Sequence, residues 1–157
     1  MVTPFHSDGS LDLPSFERLA AHLLENGSDG LVVAGTTGEA STLDDREKLD
    51  LFAAAVRVAD GGAPIMAGTG SNDTAHSVEL TRRAAEVGVD SALVVTPYYN
   101  RPNREGVVGH VGAVAEVGLP IVLYTIPSRT TVNMEPDLLD ELAEMEAVIG
   151  VKQANPD

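Results

Sequence analysis

The sequence predicts an α/β fold in which short parallel strands alternate with helices, arranged as a TIM (β/α)8 barrel that is incomplete within this chain. Three observations lead there. Apolar runs of strand length recur along the chain, each followed by an amphipathic segment of helical length. The runs are continuous rather than alternating, as in strands covered by helices on both faces. Polar, chemically equipped residues follow run after run, the pattern of a barrel that gathers its reacting groups at the carboxyl ends of its strands.

Residues 1–5, Met-Val-Thr-Pro-Phe, read as the end of a first strand, and Asp8-Gly9 as a turn. Asp12-Leu13-Pro14 opens a helix whose apolar face carries Leu19, Ala20, Leu23 and Leu24, and Asn26-Gly27 ends it. Residues 30–34 form the second strand, and Thr42 or Asp44 caps a helix with Leu49, Phe52, Ala53 and Val56 at helical spacing. A third strand is expected over 63–67, a helix over 73–87 and a fourth strand over 92–95. Residues 105–117 read as a helix weakened by Gly106, Gly109 and Gly112. Strand 121–124, helix 136–145 and strand 148–151 complete the alternation, and the last of these, an apolar run closed by Lys152, is expected to be buried.

A doubly wound open sheet has the same order of elements, but it would place a glycine-rich phosphate loop after its first strand. Gly68-Thr69-Gly70-Ser71-Asn72-Asp73 lacks the third glycine of that fingerprint, and no lysine follows a glycine run in the manner of a nucleotide-binding loop. The barrel is therefore preferred. A closed barrel takes eight βα units and about 250 residues, so 157 residues with six expected strands amount to a partial (β/α)8 domain over 1–157.

Composition limits the partners. The 43% hydrophobic content supports a packed core, and with aromatics at 4% that core is built from Val, Leu, Ala and Ile. The absence of cysteine removes disulfides, thiolate metal sites and a cysteine nucleophile. A formal charge of −14 argues against nucleic acid, whose phosphates attract basic faces. No apolar run has the length of a bilayer span and the first residues lack a signal-peptide pattern, so a cytoplasmic location without membrane association is expected.

Lys152 is one of two lysines, and at the mouth of a buried strand desolvation would favour its neutral amine, a nucleophile towards carbonyls. A salt-bridged lysine at a strand end is the plainer alternative. Gly35-Thr36-Thr37-Gly38-Glu39 follows strand two: its glycines let backbone N–H groups approach a ligand and its hydroxyls add donors, so it reads either as a cradle for a small carboxylate or as an ordinary βα turn. Tyr124 ends strand five, where a phenol relays protons or is simply a packed tyrosine. Arg129 lies on a loop beyond it, suited to bidentate carboxylate recognition unless it is merely solvated. Tyr98 and Tyr99, being adjacent, cannot both point into a site, so one is expected to pack elsewhere or against a partner chain. His6, His22, His76 and His110 show no metal-ligand spacing, and no metal site is expected.

Taken in order, residues 1–5, 35–39, 68–72, 95–100, 124–130 and 150–152 give the chain its resemblance to the dihydrodipicolinate synthase and N-acetylneuraminate lyase family of Schiff-base (β/α)8 enzymes. The resemblance implies that Lys152 forms an imine with pyruvate and that no other cofactor is needed. It further implies that Thr36 and Thr37 are the paired substrate-binding threonines, with Thr37 relaying protons alongside Tyr124, and that Tyr99 is donated across a tight dimer interface. Arg129 matches the arginine that binds the carboxylate of the second substrate in synthase members and is typically lacking in sialic-acid lyases. The implied reaction condenses pyruvate with L-aspartate-4-semialdehyde to 4-hydroxy-tetrahydrodipicolinate, on the way to diaminopimelate and lysine, in a homo-oligomer that is a dimer of dimers at full length. The last barrel strands and the carboxy-terminal helical region of the family are expected to be missing. Thr125 stands where the family commonly has Asn, and Gln153 where an acidic residue is frequent. Another pyruvate-dependent aldolase of the family, and a catalytically silent fragment that acts only through assembly, are the competing expectations.

Overall fold

The structure is a computed structural model and describes residues 1–155. Among these residues five strands alternate with helices: α1 (Leu13–Glu25), β1 (Leu31–Val33), a 3-10 turn (Thr36–Gly38), α2 (Asp45–Ala59), β2 (Ile65–Gly68), α3 (Thr74–Val87), β3 (Ser91–Val95), α4 (Arg104–Ala115), β4 (Ile121–Thr125), α5 (Pro127–Thr130), α6 (Pro136–Ala143) and β5 (Val148–Gln153). The chain divides into two compact units.

The first unit comprises Met1–Gly68 and Arg83–Ser91. Here β1 runs parallel to β2 with Leu31 opposite Ile65 and Val33 opposite Ala67. Both strands are short and fully apolar, and α2 covers them through buried Leu51, Phe52, Ala54 and Ala55 while also packing on α1, which buries Phe16 and Ala20. Asp44 rather than Thr42 caps α2: its carboxylate accepts from the Glu47 amide at 2.8 Å, and the Glu47 carboxylate accepts from the Asp44 amide at 2.9 Å. Asp12 caps α1 in the same way through the Ser15 amide at 3.0 Å, with Pro14 in the first turn, where its missing N–H costs nothing.

The strand expected over residues 1–5 is not formed. Phe5 makes an isolated antiparallel bridge to Leu11, with Gly9 at φ 87° turning the chain between them. Pro4 has no N–H to give to a ladder, and its carbonyl accepts from the Asp12 amide at 3.0 Å instead.

The second unit comprises Thr69–Arg82 and the chain from Ala92 onward. Within it β3 pairs with β4, Ala92 opposite Ile121 and Val95 opposite Tyr124, and β4 pairs with β5 across a register irregularity at Ile121/Val122. The glycines of α4 do not prevent the helix, because Val107, His110, Val111 and Val114 bury one continuous stripe, and Asn103 caps it through the Gly106 amide at 3.0 Å. Arg104 ties α4 to α6, donating to Glu141 Oε2 at 2.9 Å, Asp137 Oδ2 at 2.6 Å and the Asp137 carbonyl at 3.0 Å. Among the described residues no helix is long and apolar enough to cross a membrane.

The expected burial of the last strand is overturned. From Ile149 onward β5 is exposed, because β4 pairs with it on one side and no described strand lies on the other.

Candidate active site

In the second unit the parallel register sets Tyr124 at the carboxyl end of β4 directly opposite Lys152 on β5. Residues in register on neighbouring strands project from the same face, and the pairing brings Lys152 Nζ to 3.5 Å from the centroid of the Tyr124 ring. This is a cation–π contact, worth about 0.5–1 kcal/mol at an exposed position. Tyr124 is buried at 4% exposure, held by the strand and the core behind it, whereas Lys152 is exposed. The desolvation expected around Lys152 is therefore absent among the described residues; its place is set by the ring beneath it.

Arg129 follows one short turn beyond Tyr124. It sits not on an irregular loop but on α5, which Pro127 starts with its φ already helical, and its side chain is exposed. Tyr99 projects into solvent at 89% exposure with a left-handed backbone, φ 70°, while Tyr98 is half-buried, so the adjacent tyrosines do diverge. Arg101 is left-handed as well, φ 50°. Two non-glycine residues in that region within three positions make this a strained segment. It is held by an amide exchange that sequence reasoning missed: Asn100 donates to the Asn72 carbonyl at 3.0 Å, and Asn72 donates to Asn100 Oδ1 at 3.4 Å. Both asparagines lie in the motif blocks already singled out; the missing signal was that the two blocks address each other.

The first unit holds the turn 35–39. The chain leaves β1 through Ala34 at φ 51°, passes the 3-10 turn, and exits through Glu39 at φ 59°. The Gly38 amide donates to the Gly35 carbonyl at 3.0 Å and the Glu39 amide to the Thr36 carbonyl at 3.1 Å, which leaves Thr36 and Thr37 exposed at the crest while Gly38 is buried beneath them. Gly68, at the end of β2, is required for this course: a Cβ there would come within 2.0 Å of the Ala34 carbonyl oxygen.

The burial of two polar groups of the second unit, His110 and Thr125, was not legible in the sequence. His110 Nδ1 lies 2.9 Å from Thr74 Oγ1, and its Nε2 is buried without a hydrogen-bond partner. Burial pushes its pKa below the ordinary value, with the Asp73 charge acting in the opposite direction. Thr125, next to Tyr124, is 1% exposed and its hydroxyl also lacks a partner. Among the described residues no three His, Asp or Glu side chains gather as a metal site.

The model of the dihydrodipicolinate synthetase family matches residues 1–157. A 4-hydroxy-tetrahydrodipicolinate synthase of Moorella thermoacetica is 51% identical over 158 residues, a match that covers 100% of this chain and 54% of the relative. A dihydrodipicolinate synthase structure from Bacillus anthracis superposes with a TM-score of 0.98 at 44% identity, covering 100% of this chain and 54% of that one. The chloride-inhibited dihydrodipicolinate synthase of Acinetobacter baumannii, solved in complex with pyruvate, gives a TM-score of 0.98 at 44% identity with the same coverage, 100% and 54%. The fold is thus the α/β architecture of part of a (β/α)8 barrel, and the chain spans about half the length of the curated relatives it matches.

Proposed function

The chain belongs to the dihydrodipicolinate synthetase family, and from that premise we propose that it carries the pyruvate-activating residues of a 4-hydroxy-tetrahydrodipicolinate synthase, a Schiff-base lyase. The observation that carries the reading is the register of Lys152 with Tyr124, which puts an amine and a phenol on one face at the carboxyl ends of two adjoining strands. In this reaction the Lys152 amine adds to C2 of pyruvate to give a carbinolamine, which loses water to leave an imine. The Tyr124 hydroxyl moves the protons that this addition and dehydration require. Loss of a proton from the pyruvate methyl then gives the enamine, whose carbon attacks the aldehyde of L-aspartate-4-semialdehyde. No cofactor beyond the covalent imine enters this scheme.

Thr36 and Thr37 are assigned to the pyruvate carboxylate, with Thr37 sharing the proton relay, and Arg129 to the carboxylate of the semialdehyde. Tyr99 is assigned as a catalytic residue donated across a subunit contact in a homo-oligomer, in keeping with its 89% exposure. The domain is proposed as a partial barrel, working in the cytoplasm in lysine and diaminopimelate biosynthesis. The pyruvate complex of the Acinetobacter baumannii relative supports the choice of first substrate.

The test is reductive trapping. Pyruvate with borohydride should add a covalent mass to the peptide containing Lys152, and Lys152→Ala should abolish it. Labelling of Lys48 would sink the assignment. A panel of aldehydes offered with pyruvate separates the synthase from other aldolases of the family. The exposure of Lys152 on β5 favours a second reading, in which the chain alone assembles without catalysis; folded protein that traps no pyruvate would establish it.

A further inference from the structure

Residues 1–5 stood out in the sequence, and neither a strand nor a catalytic role absorbs them. Thr3 is buried at 6% exposure in a segment that makes no ladder, and its hydroxyl donates to the Gly38 carbonyl at 2.7 Å across 35 positions of sequence. That carbonyl belongs to the peptide plane that joins Gly38 to Glu39, and the other end of the same plane is also held, the Glu39 amide donating to the Thr36 carbonyl at 3.1 Å. Rotation of this plane would change ψ of Gly38 and φ of Glu39 together. Gly38 tolerates either orientation because it has no Cβ, and Glu39 would be relieved by rotation, since φ 59° is unfavourable for a residue with a side chain. Glycine is also the residue that fits: a Cβ on Gly38 would come to 3.2 Å from the Met1 carbonyl oxygen and 3.3 Å from Thr3 Oγ1. Hence the bond from Thr3 opposes both the freedom of Gly38 and the strain of Glu39.

We propose that Thr3 is a positioning residue of the turn 35–39: its hydroxyl fixes the Gly38–Glu39 peptide plane, holds Thr36 and Thr37 at the crest, and thereby sets the affinity of the turn for the carboxylate of a 2-oxo acid. The ligand in this statement rests on the function proposed above; the positioning does not. Thr3→Val keeps the shape and removes the donor, whereas Thr3→Ser keeps the donor.

Two measurements on the whole chain decide it. Hydrogen exchange of the amides over 37–40 should accelerate about three- to tenfold in Thr3→Val, the range expected for one net hydrogen bond, and return to the original rate in Thr3→Ser, with exchange in α6 unchanged in both. In borohydride trapping, the pyruvate concentration for half-saturation should rise by a similar factor in Thr3→Val, the rate at saturation should fall with it because Thr37 shares the proposed proton relay, and Thr3→Ser should restore both. If Thr3→Val fails to fold, the smaller Thr3→Ala takes its place against Thr3→Ser. Exchange that is unchanged without the hydroxyl, or a serine variant no better than valine or alanine, would overturn the proposal. Absence of trapping in the unaltered chain would instead remove the functional reading, and the exchange measurement would still decide whether Thr3 fixes the turn.

Discussion

Lys152 Nζ stands 3.5 Å above the centroid of the Tyr124 ring, and the two residues are partners in the parallel register of β4 and β5. The buried tyrosine is the fixed member and the exposed lysine the adjustable one. A long side chain lying over a ring face loses part of its rotamer freedom before any ligand arrives, which lowers the ordering cost of the attack. Under the proposed function the ring and the hydroxyl of Tyr124 would have separable tasks, one placing the amine and one moving protons.

That separation is testable with two substitutions. Tyr124→Phe keeps the ring beneath the ammonium, so the fold should lose no more than the net worth of a hydrogen bond, about 0.5–1.5 kcal/mol. Imine trapping at Lys152 should slow about a hundredfold or more, the usual effect of removing a positioned acid–base group. Tyr124→Leu should lose the ring contact as well and leave the lysine amide region more mobile by NMR. Equal trapping rates for Tyr124→Phe and the unaltered chain would show that the hydroxyl carries no proton in this step.

Arg129 on α5 gives a prediction about the second substrate alone. Loss of a charge-assisted bond costs about 1.5–3 kcal/mol, equivalent to roughly ten- to a hundredfold in kcat/KM. Arg129→Ala should therefore depress turnover with L-aspartate-4-semialdehyde and leave pyruvate trapping nearly intact. Unchanged kinetics with that aldehyde would remove the chief reason for preferring a synthase over a sialic-acid lyase.

The buried His110 makes stability depend on pH. Its pKa is lowered by burial, against the pull of Asp73, so the folded chain stays neutral at this ring where the unfolded chain, titrating near 6.5, takes up a proton. More protons bound by the unfolded state means that stability falls as pH drops from above about 6.5 towards the folded-state value, with a slope of at most about 1.4 kcal/mol per pH unit. Urea unfolding at a series of pH values across that window should show the decline, and His110→Gln should flatten it. A slope that survives the substitution would assign the effect to other groups.

Thr125 carries a buried hydroxyl with no partner. Such a group costs about 1–3 kcal/mol of desolvation, and a valine of nearly the same shape removes the cost. Thr125→Val is expected to leave the melting temperature unchanged or to raise it. A clear fall would mean that the hydroxyl is bonded in solution.

Periodicity read the alternation of elements correctly because each strand is a continuous apolar run and each helix buries one stripe, as Val107, Val111 and Val114 do despite three glycines in the same helix. It failed at residues 1–5, where Pro4 breaks the ladder and the segment serves through the Thr3 hydroxyl. It failed also at β5, whose apolar residues read as buried although burial depends on neighbouring strands that local sequence does not describe. At the candidate site the residue types and the places of Tyr124 and Lys152 at strand ends were legible, whereas the register that pairs them came from the structure. The left-handed residues Ala34, Glu39, Tyr99 and Arg101 were not legible, because none is glycine, the residue that marks such backbone in a sequence.

The exposed strand carries the last prediction. Ile149 is 62% and Val151 44% exposed; two apart on a strand, they share a face, and among the described residues no strand lies along the edge of β5 away from β4. An apolar edge of this kind templates pairing with another chain. It is opposed by the formal charge of −14, which makes two copies repel. Salt shortens the reach of that repulsion, to about 8 Å at physiological ionic strength, and leaves the apolar attraction intact. Self-association should therefore increase with both protein concentration and salt in sedimentation velocity. Replacing Ile149 and Val151 together with Lys, which puts charge on the edge, should suppress it, although the same change lowers the net negative charge and on electrostatic grounds alone would favour association. The two mechanisms thus predict opposite signs for one variant. A chain that stays monomeric at high salt, or a double lysine variant that associates more strongly than the unaltered one, would show that the β5 edge does not govern assembly.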